Sequence, residues 1–357
     1  MKKIDFFLLI SVLFLTFFGL FMIYDASSFV AFRDFADKYH YVKDQSFWVV
    51  LGIIALFVFY RIDYHKFYNL AIPILLTGIG LLVIVFVPGL GIKVLGAHRW
   101  INLRFTVLQP SEFVKLALAI YLSAWFSNKE KGRLVAFLFL LFSVLLLIML
   151  QPDMGTAAII MAEGMVLYFL SGASIMYFVF LAPVIGFLGL LFAKLEPYRA
   201  ARLTTFLNIN QSLSSSSYQV RQILISLGSG GLTGVGLGNS LQKYAYLPEN
   251  TTDSIFAIIA EELGFLGACF IIAVFMVVIW RGFLIAANAK DAFGKLLAGG
   301  ITTFLAVQVL INLAAQTALL PLTGVPLPFI SYGGSSLIID LCAIGILINI
   351  GKQGKII

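Results

Sequence analysis

Residues 133–171 read RLVAFLFLLFSVLLLIMLQPDMGTAAIIMAEGMVLYFLS, and this stretch decides the fold. Two apolar runs, 133–150 and 154–171, are divided by Gln151-Pro152-Asp153. Each run approaches the roughly 20 apolar residues that a helix needs to cross a bilayer. Proline breaks the helix before it and is favoured at the first position of the helix after it. The neighbouring acid suits the positive end of a helix dipole. The pattern predicts two spanning helices joined by a short polar turn.

Outward from this pair the same pattern recurs. Further apolar runs lie at 5–24, 46–60, 69–87, 111–127, 174–195, 254–280, 295–319 and 335–350, which predicts about ten spans. The chain is 61% hydrophobic and 11% charged, where soluble domains run at about 45–50% and about 25%. A water-soluble surface cannot be built from so few polar side chains, so lipid must be the solvent for most of it. The expected fold class is an all-α polytopic membrane protein, with residues 1–357 forming a single membrane domain. Met1-Lys2-Lys3 and the apolar run from Phe6 to Tyr24 lack a small-residue cleavage site and read as a first span.

Lys and Arg in short loops set orientation. Lys2, Lys3, Arg61, Lys66, Lys129, Lys131, Arg133, Arg281, Lys290, Lys295, Lys352 and Lys355 fall on one side of a ten-span chain. That side is expected to be cytoplasmic, with both termini inside. The loop 196–253, between spans seven and eight, is then extracytoplasmic, and loops of that length are usually functional or disordered. It carries a polar patch from Asn210 to Ser217, then an apolar, Gly-rich segment from Val220 to Leu241 that reads as re-entrant or surface-lying. The outer side also holds Lys93, Arg99, Arg104, Arg199, Arg202, Arg221 and Lys243. These read either as a solvated rim or as an anion-binding surface, and the net charge of +7 is consistent with an anionic partner. Cys269 and Cys342 lie in apolar runs without a Cys or His at ligand spacing, so neither a disulfide frame nor a zinc site is expected.

Several spans begin on the outer side with similar chemistry: Gln109-Pro110-Ser111-Glu112, Gln151-Pro152-Asp153, Glu249-Asn250-Thr251-Thr252-Asp253 and Ser331-Tyr332-Gly333-Gly334-Ser335-Ser336. Free N–H groups at helix starts bind anions, and a Gly-Gly pair lets the backbone curl into a nest. If the ends converge they make a phosphate pocket; otherwise they are four separately capped helices. Inside the spans, Glu112 and Lys115 sit three apart and can pair on one helix face. Glu163, Glu261, Glu262 and Asp340 are further intramembrane acids, each a functional candidate by its cost. Glu261 and Glu262 point about 100° apart and need different partners.

Together these residues resemble the SEDS family, the FtsW/RodA/SpoVE peptidoglycan glycosyltransferases. The resemblance runs over nearly the whole chain. Its blocks are Gly96–Ile101, Gln109–Glu112 with Lys115, Gln151–Thr156, Tyr218-Gln219, Gly228–Gly231, Leu247–Glu249 with Thr252-Asp253, Glu261–Gly264 and Pro326–Ser336. The stretch Gly234–Lys243 is similar to the division-type FtsW/SpoVE branch. Ser254 stands where the family usually has Phe, and Arg104 lies in a region usually richer in Gly.

The resemblance implies polymerisation of lipid II: an acceptor 4-hydroxyl attacks the anomeric carbon of an undecaprenyl-diphosphate-linked glycan. It also implies Asp253 as the base, where the residues alone would make it a helix N-cap. Arg99, Arg202, Arg221, Lys243, Glu249, Ser331, Ser335 and Ser336 are the expected substrate-binding residues. Glu112 and Lys115 are expected to be structural. A divalent cation, Mg or Mn, suits a diphosphate beside carboxylates, though no closed metal motif is present. Expected partners are a class B penicillin-binding protein and other divisome or elongasome membrane proteins, in the bacterial cytoplasmic membrane, and no nucleic acid. A flippase or transporter and a non-catalytic scaffold are the rival readings. Against the first stands the lack of an internal inverted repeat. Against the second stand Asp253 and the basic set.

Overall fold

Asp5 starts the first helix: its carboxylate accepts from the Leu8 N–H at 3.1 Å, as an N-cap does. The computed structural model of the protein describes residues 4–94, 97–102, 106–128, 133–195, 202, 206, 215–244 and 246–354. In chain order the helices are α1 (Phe6–Phe35), α2 (His40–Arg61), α3 (His65–Asn69), α4 (Ala71–Ile84), α5 (Pro110–Phe126), α6 (Leu134–Leu150), α7 (Met154–Leu170), α8 (Ile175–Leu195), α9 (Ser215–Ser229), α10 (Ile255–Asn288), α11 (Ala292–Gln316) and α12 (Gly334–Gln353). Of these, α1, α2, α10, α11 and α12 are long and apolar enough to cross a membrane. Shorter apolar helices include α4, α6 and α7.

The helices follow the apolar runs, with informative departures. α1 continues through Asp25, Ser27 and Ser28 to Phe35, eleven residues past the end of the run. Those polar residues are met by other segments: Asp25 pairs with Lys243 at 3.0 Å, and Asn250 donates to the Ala26 carbonyl at 3.0 Å. The chain is also not wholly helical. Between α4 and α5 lies a small antiparallel sheet of β1 (Gly91–Val94), β2 (Ala97–Asn102) and β3 (Val107–Leu108). Gly96, Arg104, Arg199, Asn210–Ser214, Lys2, Lys3, Lys129, Lys131 and Lys355 lie outside the described residues.

α11 is the centre of the bundle. It packs against α10, α7 and α5, and most of its residues are buried. One apolar core joins α1, α2, α10, α11 and α12, and a second joins α4, α5, α6 and α7. The outer helix faces expose large apolar side chains, among them Phe7, Phe139, Phe265 and Trp280. Surface of this extent and character is stable in hydrocarbon and not in water. The chain is a multi-pass membrane protein.

The segment after α9 is not a free loop. α10 breaks at Gly264, whose φ of 69° and ψ of −171° leave the helical region. The break exposes backbone groups on both sides, and the Gly-rich segment takes them up. Val235 N–H donates to the Glu261 carbonyl at 3.0 Å and Gly236 N–H to that of Glu262 at 3.1 Å. In return, Phe265 N–H donates to Gly231 at 2.9 Å and Leu266 N–H to Leu232 at 3.1 Å. A Cβ at Gly264 would lie 2.2 Å from the Gly234 nitrogen, so only glycine fits. The adjacent acids share Ser240, whose hydroxyl serves one and whose N–H serves the other, and each has a further partner of its own. Glu261 accepts from Ser226 at 3.0 Å and Ser240 at 2.5 Å; Glu262 accepts from the Ser240 N–H at 3.1 Å and Lys243 at 3.3 Å. At the other end of α1 and α10, Arg281 pairs with Asp5 at 2.6 Å.

Candidate functional site

Four helix starts meet on one face of the bundle. Arg99, on β2, donates to the carbonyls of Gln151 (3.1 Å) and Pro152, just before α7. β3 leads into Gln109, the cap of α5, whose N–H donates to Ser335 Oγ at 3.3 Å at the start of α12. Just before α12, Tyr332 N–H donates to the Thr251 carbonyl at 2.9 Å, and Ser331 Oγ to that of Thr252 at 2.5 Å. Those two carbonyls lead into Asp253 and α10.

Asp253 is not the cap of α10. Ser254 occupies that position, and no side chain caps the helix there. Glu249 adopts a left-handed φ of 52°, and its carbonyl accepts from both Thr252 (3.3 Å) and Ser254 (3.1 Å) N–H groups. This tight turn leaves the half-buried Asp253 carboxylate facing Gly324, where a Cβ would lie 3.8 Å from Oδ2. Thr252 Oγ1 lies 3.2 Å from Asp253 Oδ1 and 2.8 Å from Glu249 Oε2. Burial raises the Asp253 carboxyl to about 6, the negative charge of Glu249 adds to the rise, and Arg202 opposes it. A carboxylate so placed is a competent proton acceptor near neutral pH.

The backbone beneath Asp253 is held by a row of amides. Gln308, Asn312 and Gln316 recur every four residues on α11 and so share one face. Gln316 Nε2 donates to the Asp253 carbonyl at 2.9 Å, and Asn312 Nδ2 to the same oxygen at 3.0 Å. Asn312 also reaches the Val325 carbonyl at 2.8 Å, and Gln308 that of Pro326 at 3.0 Å. Sequence reading missed these residues because it searched the spans for charge. The available signal was three amides at helical spacing in an apolar run, each obliged to find partners in a water-free interior.

The other expected site residues separate into groups. Arg202 donates to the Leu322 carbonyl at 2.7 Å and lies near enough to Asp253 to act on its charge. It rims a small apolar cleft with Phe206, Val220, Leu320 and Leu322. Arg221 is half-buried on α9, with no hydrogen-bond or ion-pair partner among the described residues. Lys243 departs from expectation as a diphosphate ligand: it is buried between Asp25 and Glu262. Ser331, Ser335 and Ser336 are also engaged by the protein's own groups. Ser331 accepts from the Leu327 N–H at 2.8 Å, Ser335 donates to Val107 at 3.2 Å, and Ser336 lies 3.5 Å from Asp340. In the Gly333-Gly334 pair the Gly333 N–H is already taken by Gln45 Oε1 at 3.2 Å, and the Trp48 indole lies within 2.8 Å of where a Cβ on Gly334 would stand. Glu112 and Lys115 lie 2.8 Å apart, fully buried, and Lys115 also donates to Gln308 Oε1 at 2.5 Å. Among the described residues no three His, Cys, Asp or Glu side chains come together to hold a metal ion. Asp253 and Glu249 alone do not make a closed metal site.

Known proteins share both sequence and shape with this chain. A family profile covering FtsW, RodA and SpoVE, described as cell cycle protein, matches residues 6–356. Stage V sporulation protein E of Bacillus subtilis is 41% identical over 98% of both chains. A probable peptidoglycan glycosyltransferase FtsW of Trichlorobacter lovleyi is 40% identical over 100% of this chain and 95% of its own. Among solved structures, a chain of a peptidoglycan synthase complex that coordinates polymerization and crosslinking superposes with a TM-score of 0.82. It is 24% identical and 98% of each chain is covered. The rod shape determining protein RodA of Thermus thermophilus gives a TM-score of 0.73 at 25% identity, covering 99% of this chain and 98% of its own.

Proposed function

Since the chain belongs to the FtsW, RodA and SpoVE family, we propose that it is a peptidoglycan glycosyltransferase that polymerises lipid II, with Asp253 as the general base. The observation that carries the assignment is the Asp253 carboxylate, raised to about 6 and set in an immobilised turn where four helix starts meet. The acceptor 4-hydroxyl gives its proton to Asp253 as its oxygen bonds to the donor's anomeric carbon. The bond from that carbon to the undecaprenyl diphosphate oxygen breaks, and the electron pair leaves with the diphosphate. Arg202, whose charge acts on Asp253, and Arg221 are assigned to the charge of the leaving diphosphate, and Arg99 holds the adjacent backbone. A divalent cation would be held jointly by the substrate's phosphates and a carboxylate, as magnesium commonly is. The similarity of residues 234–243 to the division-type branch favours a role in septal wall synthesis.

The purified chain in detergent, with lipid II and no membrane gradient, should yield glycan polymer. A transporter or a scaffold would yield none. The chemistry also implies a partner. The Ser-x-x-Lys spacing occurs at Ser240 and Lys243, but there Ser240 donates to Glu261 and Lys243 is buried between Asp25 and Glu262. Neither is placed as an acyl-transfer nucleophile or base, and crosslinking of the product is assigned to another protein. A single-span class B penicillin-binding protein resting on the 196–253 loop would be placed to bias Asp253. Adding it should raise the rate; a rate unchanged at saturating partner would defeat the regulatory part.

The proposed topology has ten spans in the bacterial cytoplasmic membrane, with both termini cytoplasmic and the Asp253 face outside. Single cysteines at Glu130 and Ser212 should be labelled from opposite sides of the membrane by an impermeant maleimide. Labelling of both from one side would overturn the arrangement.

A further inference from the structure

The amide row on α11 has a fixed direction. Lys115 can only donate, so Gln308 must turn its Oε1 toward it, and this aims Nε2 at the Pro326 carbonyl. At the other end the Ala257 N–H donates to Gln316 Oε1 at 2.8 Å, which aims Gln316 Nε2 at the Asp253 carbonyl. Gln316 Nε2 also donates to Asn312 Oδ1 at 2.7 Å. That leaves Asn312 only its Nδ2 for the carbonyls of Asp253 and Val325. No amide in the row can flip without placing two acceptors or two donors face to face. The Asp253 carbonyl therefore accepts two buried hydrogen bonds whose sense is dictated from both ends.

Resting on the reading of Asp253 as the base, we infer that Asn312 and Gln316 are positioning residues for it. They fix the peptide from which the carboxylate projects. The same row fixes the segment 325–331, through Val325 and Pro326. Ser331 returns from that segment to hold the Thr252 carbonyl, one residue before Asp253. The base is thus gripped on both sides of its own peptide by elements that share one helix. A base displaced by a fraction of an ångström loses rate and not affinity, because the misplacement matters only when the proton moves.

Gln316→Glu separates positioning from mere folding. The carboxylate keeps the size of the side chain and still accepts from Ala257, but it cannot donate to Asp253. Loss of about tenfold or more in kcat is expected, near the cost of one buried hydrogen bond, with KM within about twofold of wild type. The new negative charge near Asp253 should also move the acid limb of the rate profile to higher pH. Asn312→Ala removes a donor without adding charge, so its kcat should fall with the acid limb unmoved. Folding is checked by size exclusion and thermal midpoint, and either folded variant decides. Wild-type kcat in a folded variant, beside an inactive Asp253→Asn, overturns the positioning role alone. An active Asp253→Asn overturns the catalytic assignment and the positioning role with it.

Discussion

Asp253→Asn should reduce lipid II polymerisation by at least about a hundredfold, the scale of a lost general base, while the protein still inserts and elutes as wild type. The substitution keeps the shape of the side chain. Its folding neighbours act mainly on the Asp253 backbone, through Asn312 and Gln316, and would be undisturbed. The pH dependence carries a sign that can be worked out. A base must be ionised, so with the carboxyl at about 6 activity should climb as pH rises through that region. Glu249→Gln removes one of the two causes of the rise, so its acid limb should move to lower pH. Near-wild-type glycan synthesis by the Asn variant would remove Asp253 from the mechanism.

Lys115→Met should be the most destabilising single substitution within the spans. Lys115 is fully buried, and its ammonium is held by Glu112 and Gln308 and lies 5.6 Å from the Phe304 ring centre. Removing it leaves Glu112 as an unpaired buried carboxylate, a loss of about 3–5 kcal/mol. The charge-swapped pair, Glu112→Lys with Lys115→Glu, should recover part of that stability. It should recover less activity, because a carboxylate at position 115 would turn Gln308 over and take its Nε2 from Pro326. Thermal midpoints and turnover of the two singles and the double form the cycle. A double variant whose stability loss equals the sum of the two single losses would argue against pairing.

The helices were legible because apolar runs of bilayer length have few alternatives. Their ends were less so. α1 outlasts its apolar run because Asp25 and Ala26 meet Lys243 and Asn250, residues more than 200 positions away, and no local pattern announces such a partner. The break at Gly264 was hidden for the same reason: one glycine in an apolar helix is ordinary until the Gly-rich segment is seen docked against it. In the site, Asp253 was reached through the family resemblance, since its residue type alone fits a cap. The serines near 331–336 were read as ligand groups. Hydroxyls at a helix start serve the backbone equally well, and here they do. The amide row went unread because uncharged polar residues raise no alarm in a hydropathy profile.

The two charge clusters between α1 and α10 act as a gauge of membrane thickness. Asp5 caps α1 and Asp25 lies twenty residues further along it; on α10, Arg281, which pairs with Asp5, and Glu262, which shares Lys243 with Asp25, are nineteen apart. At about 1.5 Å per residue the clusters stand about 30 Å apart, the depth of a typical hydrocarbon core. Each can therefore sit at a headgroup boundary with the apolar lengths between them matched to the lipid. A bilayer a few ångströms thicker would draw one cluster into the acyl chains, and a thinner one would leave apolar helix in water. Hydrophobic mismatch of that kind is relieved by tilt or by local bilayer deformation. Because Glu262 also anchors the segment leading to Asp253, acyl-chain length is expected to be a variable that reaches the Asp253 carboxylate.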